Sequence, residues 1–276
     1  MPSRRLRENE VTAMPASYAH YRFGKTVLPT LPADVQRSIH RFRRLYDVGL
    51  QGPDFFFYYN PLMSTAIGSL GGSYHQKTGT ELFTSSAARL KHEAAAAYLY
   101  GLLGHYCLDS HCHPFVNRVV EEGKCSHVAL ESEFDRYLMA SDGIAEPHRK
   151  DMTPHLKLTR GECVTVADFY PPAKPGHVLR SVRHMRWCLK FLARKDRAGT
   201  RKLLNAVNPK LCDSLIPEEP VAGYERMDSE LLARFNRAAR HYPELLGQLT
   251  ALLEKGDALG EDFAPTFDPR EGESSR

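Results

Sequence analysis

The stretch GHYCLDSHCHPFVN places His105, Asp109 and His113 at successive spacings of four, and a second pair downstream, His127 and Glu131, repeats that spacing. On a helix, residues four apart lie on one face, one turn above the other. The first row drifts by only about 40° per step on a 3.6-residue helix. Two imidazoles and a carboxylate therefore point one way, and the second pair forms another two-toothed face. Neutral imidazole and carboxylate form the usual donor set for zinc in catalytic sites. The segment reads as a metal centre with more than one ion.

Further donors stand upstream: His20 in SYAHYRFG, Asp54 in GPDFFFYY and His75 in SYHQKTG. A hydrolytic centre needs this mixture. Carboxylates bridge ions and offset their charge, imidazoles bind without adding charge, and an open position holds a water whose pKa falls toward ~7 on zinc. His111 falls on the far side of the first row, about 120° or more from its neighbours. His40, His92, His148, His155, His177, His184 and His241 have no partner at metal spacing. The six cysteines, Cys107, Cys112, Cys125, Cys163, Cys188 and Cys212, form no CxxC pair and read as reduced thiols, with Cys107 pointing well away from His105.

The elements that must carry these residues read as helices. Residues 33–49 put Val35, Ile39, Phe42 and Tyr46 on one stripe, with Arg37, Arg41 and Arg44 opposite on a solvated face. Residues 49–83, rich in Gly, Pro and aromatics, read as loop with short helical pieces. The Phe55–Tyr59 cluster reads as core, or as a pocket wall that would hold a quaternary ammonium or stack on a base. One helix is predicted from about Thr84 to Cys112, ended by Pro114. Another covers 126–140, residues 142–176 read as loop, and 177–196 and 227–254 are two more helices. No alternating strand pattern is present. Residues 1–14 and the acidic 256–276 read as disordered, leaving one all-α domain from 15 to 255.

Composition narrows the class further. The chain has 276 residues, 42% hydrophobic and 25% charged, ordinary for a globular protein. The net charge of +4 is too small to imply a stable nucleic-acid partner. No apolar run has membrane-spanning length, and the basic N-terminus lacks an apolar signal core, so the expected location is cytoplasmic.

The ordered set His20, Asp54, His75, His105-x-x-x-Asp109, His113 and His127-x-x-x-Glu131 resembles the bacterial zinc-dependent phospholipase C family, whose fold is shared by single-strand zinc nucleases. The resemblance covers roughly residues 15–140. It implies an all-α fold of the phospholipase C and zinc nuclease type with a metal cluster in a cleft. It also implies one zinc on Asp54, His75, His105 and Asp109, and a second on His113, His127 and Glu131. Asp109 would bridge to a third, shared with His20, and Asp54 would orient or deprotonate the attacking water. In such proteins an N-terminal tryptophan completes the third ion; the one tryptophan here is Trp187, so two zinc ions are expected and a third depends on a substitute. A start at Met14 would supply one, the free amine of Pro15. The gap from Asp109 to His113 is shorter than in the characterised secreted enzymes.

The expectation is a zinc-dependent phosphodiester hydrolase, phospholipase C-like, acting on a phospholipid headgroup with transient contact at a membrane surface. The alternatives are a nuclease or nucleotide phosphodiesterase on the same fold, and a non-catalytic metal-binding scaffold. The scaffold reading gains from the missing export signal, because free cytosolic phospholipase activity would endanger the cell's own membrane.

Overall fold

The structure, a computed structural model, describes residues 17–272, so residues 1–14 and the proposed Met14 start lie outside the described residues. Among these the fold is all-α. Its helices are α1 (Tyr18–Val27), α2 (Ala33–Arg41), α3 (Arg43–Gly49), α4 (Leu70–His75), α5 (Gly79–Ala87), α6 (Glu93–Glu121), α7 (His127–Ser141), α8 (Arg160–Ala167), α9 (Pro175–Leu192), α10 (Arg197–Val207) and α11 (Glu225–Lys255), joined by short 3₁₀ turns. The nearest thing to a sheet is a single antiparallel bridge, Thr78 to Thr266.

Helix α6 is the axis. It is apolar almost all round, with Leu99, Leu102, Leu103, Tyr106 and Cys107 fully buried, as a helix enclosed by others must be. Helices α3 and α11 pack along it, and α1, α2, α7 and α8 also touch it. The α3–α6 crossing is a backbone contact made possible by two glycines. A Cβ on Gly49 would lie 2.4 Å from the Tyr98 carbonyl, and one on Gly101 would lie 2.2 Å from the Tyr46 carbonyl.

Several boundaries differ from the sequence reading. The 33–49 helix is broken at Phe42, whose φ of −115° and ψ of 39° leave the helical region. The predicted start near Thr84 is instead two helices. Thr78 and Glu81 close a capping box that starts α5, and His92 accepts from Ala95 N–H to start α6. Pro114 does not end α6, which runs on to Glu121. An interior proline costs about 3 kcal/mol. Burial of Phe115, Val116 and Val119 beyond it offsets that cost, and Arg234 donates to the His111 carbonyl one turn before. The 142–176 loop contains α8, nucleated by a second capping box, Thr159 with Glu162. Helix α10, capped by Asp196, was missed.

The largest correction concerns the tail. Residues 256–272 are not a free end: Phe263 and Phe267 are fully buried, and Tyr106 Oη donates to the Asp262 and Pro265 carbonyls. Acidic composition concealed two aromatic anchors, and these return the chain onto α6.

Gly101→Ala is expected to destabilise the protein by about 1–3 kcal/mol, because the methyl enters an occupied backbone contact. Gly247→Ala, on an open stretch of α11 with nothing within 4 Å, should instead stabilise by a few tenths to about 1 kcal/mol. Thermal melts of the two variants should move in opposite directions.

Candidate metal centre

All eight residues named from the sequence converge. Helix α1 brings His20, the 3₁₀ turn Asp54–Tyr58 brings Asp54 at its first position, and α4 ends on His75. Helix α6 brings the row His105, Asp109 and His113, and α7 brings His127 and Glu131 in its first turns. Asp109 is at the middle. Its Oδ2 lies 3.0 Å from His105 Nε2 and 3.7 Å from His75 Nε2, and its Oδ1 lies 3.3 Å from His20 Nε2 and 3.7 Å from His113 Nε2. On one side Asp54 Oδ1 lies 3.1 Å from His75 Nε2 and 3.8 Å from His105 Nε2. On the other, Glu131 Oε1 lies 3.0 Å from His127 Nε2 and 3.6 Å from His113 Nε2. Three groups of donor atoms lie within 4.8 Å of one another: Asp54, His75 and His105; His20, His105 and Asp109; His113, His127 and Glu131.

The rest of the protein holds these rings by their other nitrogen. His75 Nδ1 meets the Gly71 carbonyl at 2.8 Å, His105 Nδ1 the Leu50 carbonyl at 3.2 Å, and His113 Nδ1 the Phe267 carbonyl at 2.8 Å. A carbonyl only accepts, so each Nδ1 carries the proton and, in the neutral ring, each Nε2 turns a lone pair inward. Asp54 Oδ1 and His105 Nε2 are buried 3.8 Å apart, and the polar atoms beside them are those of the other candidate ligands, His75 and Asp109. Two buried lone-pair atoms facing each other repel unless a proton or a cation lies between them. That is the arrangement a zinc ion fits, and the nitrogen and oxygen donors match its preferences.

In the protein alone, protons take that role. Burial lowers the affinity of His75 for a proton, but Asp54 and Asp109 outweigh it and hold the ring well above the usual histidine range. The same contest, with Asp109, Glu131 and Asp268 as the winning charges, pushes His113 up to about 10. His127 is raised by Glu131. His20, buried and facing His105, falls to about 4. Asp109 and Glu131 resist burial through these imidazoles and lie well below the ordinary carboxylate range.

Three contributions escaped sequence reasoning. Asp135, one helical turn beyond Glu131, accepts hydrogen bonds from the Ser17, Tyr18 and Ala19 N–H groups at 3.1, 2.9 and 2.8 Å. It fixes the start of α1 and hence His20; its place four residues after Glu131 on the same row was the available signal. Gly52, at φ +49°, brings its backbone against His105, and a Cβ there would lie 2.1 Å from the ring. The tail supplies the Phe267 carbonyl, for which nothing local in sequence gives a sign. His241, read as partnerless, lies with Glu244 and Asp262 in a smaller donor group, its Nε2 3.5 Å from Asp262 Oδ1. His111 points away from the row, bonding the Cys107 carbonyl and meeting His241 edge-on. The cysteines are all free, and none joins a donor group.

A model of the zinc-dependent phospholipase C family matches residues 19–170, more than half of the chain and all eight residues of the centre. The chain belongs to the zinc-dependent phospholipase C family. No curated protein and no solved structure matches it. The family is zinc-dependent, membership supports a phosphoesterase-like function, and the donor groups of the centre could hold metal. Helices α9, α10, α11 and the tail lie beyond the matched region. No helix among the described residues is long and apolar enough to cross a membrane.

Two expectations follow from this geometry. Truncation after Lys255 removes the Phe267 carbonyl that orients His113 and exposes α6. It should lower zinc content at least by the ion using His113, His127 and Glu131, read by elemental analysis of the folded fraction. Zinc must also displace the protons on His75 and His113, which are present at neutral pH because both rings are raised. Affinity should therefore fall as pH falls, by about tenfold per unit for each proton displaced. Competition with a chelator across pH, with proton release measured by calorimetry, checks the slope; pH-independent binding would contradict it.

Proposed function

We propose that the protein hydrolyses a phosphodiester in the manner of a phospholipase C, splitting the bond between glycerol and phosphate. The observation that carries this reading is Asp54: a buried carboxylate, 3% exposed, whose Oδ1 faces imidazole nitrogens, His75 Nε2 at 3.1 Å and His105 Nε2 at 3.8 Å. By this reading Asp54, His75, His105 and Asp109 hold one zinc ion and His113, His127 and Glu131 a second. Asp109, with His20, reaches toward a third. Zinc held there supplies Lewis acidity toward phosphoryl oxygens and acidifies a bound water.

The residues of the chain do the rest. Asp54 orients the attacking water and accepts its proton. The imidazoles, clamped by backbone carbonyls, hold their lone pairs fixed, so little reorganisation is needed. Two dications against the three carboxylates Asp54, Asp109 and Glu131 leave a net charge of about +1, which attracts a phosphodiester monoanion without binding its dianionic product too tightly. Phe57, stacked on His75 with centroids 5.7 Å apart, covers one flank of the site.

Asp54→Asn should lower turnover by about 10²-fold or more while leaving the melt nearly unchanged, since removing a positioned general base costs of that order. A chromogenic phosphocholine ester and a dinucleotide serve as parallel substrates. Hydrolysis of the dinucleotide alone would favour the nuclease alternative. A protein that binds zinc yet leaves both intact would favour the scaffold, and unchanged turnover in Asp54→Asn would refute the role of Asp54.

A further inference from the structure

Outside the metal centre the most unusual surface lies on α9 and α10. Leu62, Met63, Trp187, Leu203 and Val207 are each more than half exposed. They border one apolar groove of about 1050 Å³ between the turn after Tyr59, α9 and α10. Trp187 and Phe191, one turn apart, stack with centroids 5.6 Å apart, and Leu203 and Val207 share a face of α10. Soluble proteins seldom leave large apolar side chains clustered in water without a use for them.

The charge around this groove says what covers it. Residues 174–211 contain eleven lysines and arginines and one acidic residue, Asp196, a local surplus of ten in a chain whose total surplus is four. Everything else is therefore net acidic. Arg180 and Arg183 lie on the groove itself. Among the described residues the ion pairs of this segment are Lys190 with Asp151 and Arg197 with Glu218, so most of its cations face solvent. A second copy docking through the same face would bring the same positive charge and be repelled. Residues 1–16 carry three arginines against two glutamates and would not neutralise it. Nucleic acid matches the charge and Trp187 offers a ring to stack on, but the other strongly exposed side chains of the groove, Leu62, Met63, Leu203 and Val207, are aliphatic and give successive bases no platform. Apolar side chains ringed by cations match the interface of an anionic bilayer, where alkyl and indole groups enter the headgroup boundary and each Lys or Arg adds attraction.

We propose that the α9–α10 face, with the Leu62–Met63 turn, docks the protein onto anionic phospholipid surfaces. That turn follows closely on the 3₁₀ segment Asp54–Tyr58, so a docked surface bears on the element carrying Asp54. Docking does not require turnover, and its test is read without activity.

Trp187 is the only tryptophan and is 64% exposed, so its emission reports the groove directly. With the zinc-loaded full chain, vesicles of phosphatidylcholine and phosphatidylglycerol should shift emission to the blue and brominated acyl chains should quench it. Phosphatidylcholine alone should do so weakly, and high salt should reverse the effect. Leu203→Asp with Val207→Asp, and separately Arg180→Glu with Arg183→Glu, should each weaken vesicle affinity by about tenfold or more. Helical circular dichroism and zinc content should hold, because these side chains are exposed. No shift with anionic vesicles at low salt overturns the proposal, as does unchanged affinity in both variants. A shift caused by a single-stranded oligonucleotide and not by vesicles would also overturn it. Asp54→Asn should bind vesicles as the parent does, which separates failure of docking from failure of the hydrolytic reading.

Discussion

Asp109 has four imidazole nitrogens within 3.7 Å of its two oxygens, and the whole arrangement is buried. A carboxylate and several neutral rings cannot share such a space with their lone pairs facing inward; positive charge has to lie among them. Protons supply it in the protein alone, which is why His75 and His113 are pushed up while Asp109 and Glu131 are held down. Metal supplies it better, since one dication replaces several protons and accepts several donors at once. The fold is organised to hold this frustrated cluster in place. Each clamp on an imidazole Nδ1 removes the freedom by which the cluster would relax.

The clamps come from every direction. The Leu50 carbonyl ends α3, which reaches α6 because Gly49 and Gly101 let the two backbones touch. Asp135 on α7 fixes α1 by three N–H groups, and the returning tail delivers the Phe267 carbonyl. The aromatic run after Asp54 divides its work along the same lines. Phe55, Phe56 and Tyr58 are fully buried and anchor the turn, while Phe57 lies against His75. Interior packing and site geometry are thus one network, and a substitution in the α3–α6 crossing acts on both.

The chain also separates its charges. Three carboxylates, Asp54, Asp109 and Glu131, lie among the imidazoles of the candidate centre, and cations gather on α9 and α10, beyond the region matched to the family. A net charge of +4 describes neither part. Averaging over the sequence hid a strongly basic face, and the same averaging made the acidic tail look like a solvated end.

The two rows, His105 to His113 and His127 to Glu131, were legible because a helix repeats every 3.6 residues and neighbours four apart share a face. All-α architecture and the helices carrying these rows followed from the same local period. His20, Asp54 and His75 stood out only as scattered donors upstream, since no spacing links them to the rows; the order of a family motif is what joined them to the centre. What tertiary structure alone decided are the contacts between distant positions: Leu50 with His105, Phe267 with His113, and Asp135 with the start of α1. Such contacts arise from packing in three dimensions, and the sequence carries no period for them. Pro114 and the tail make the same point in energy. A local preference of about 3 kcal/mol against helix, or a polar composition, gives way when a few aromatic and aliphatic side chains can be buried against α6.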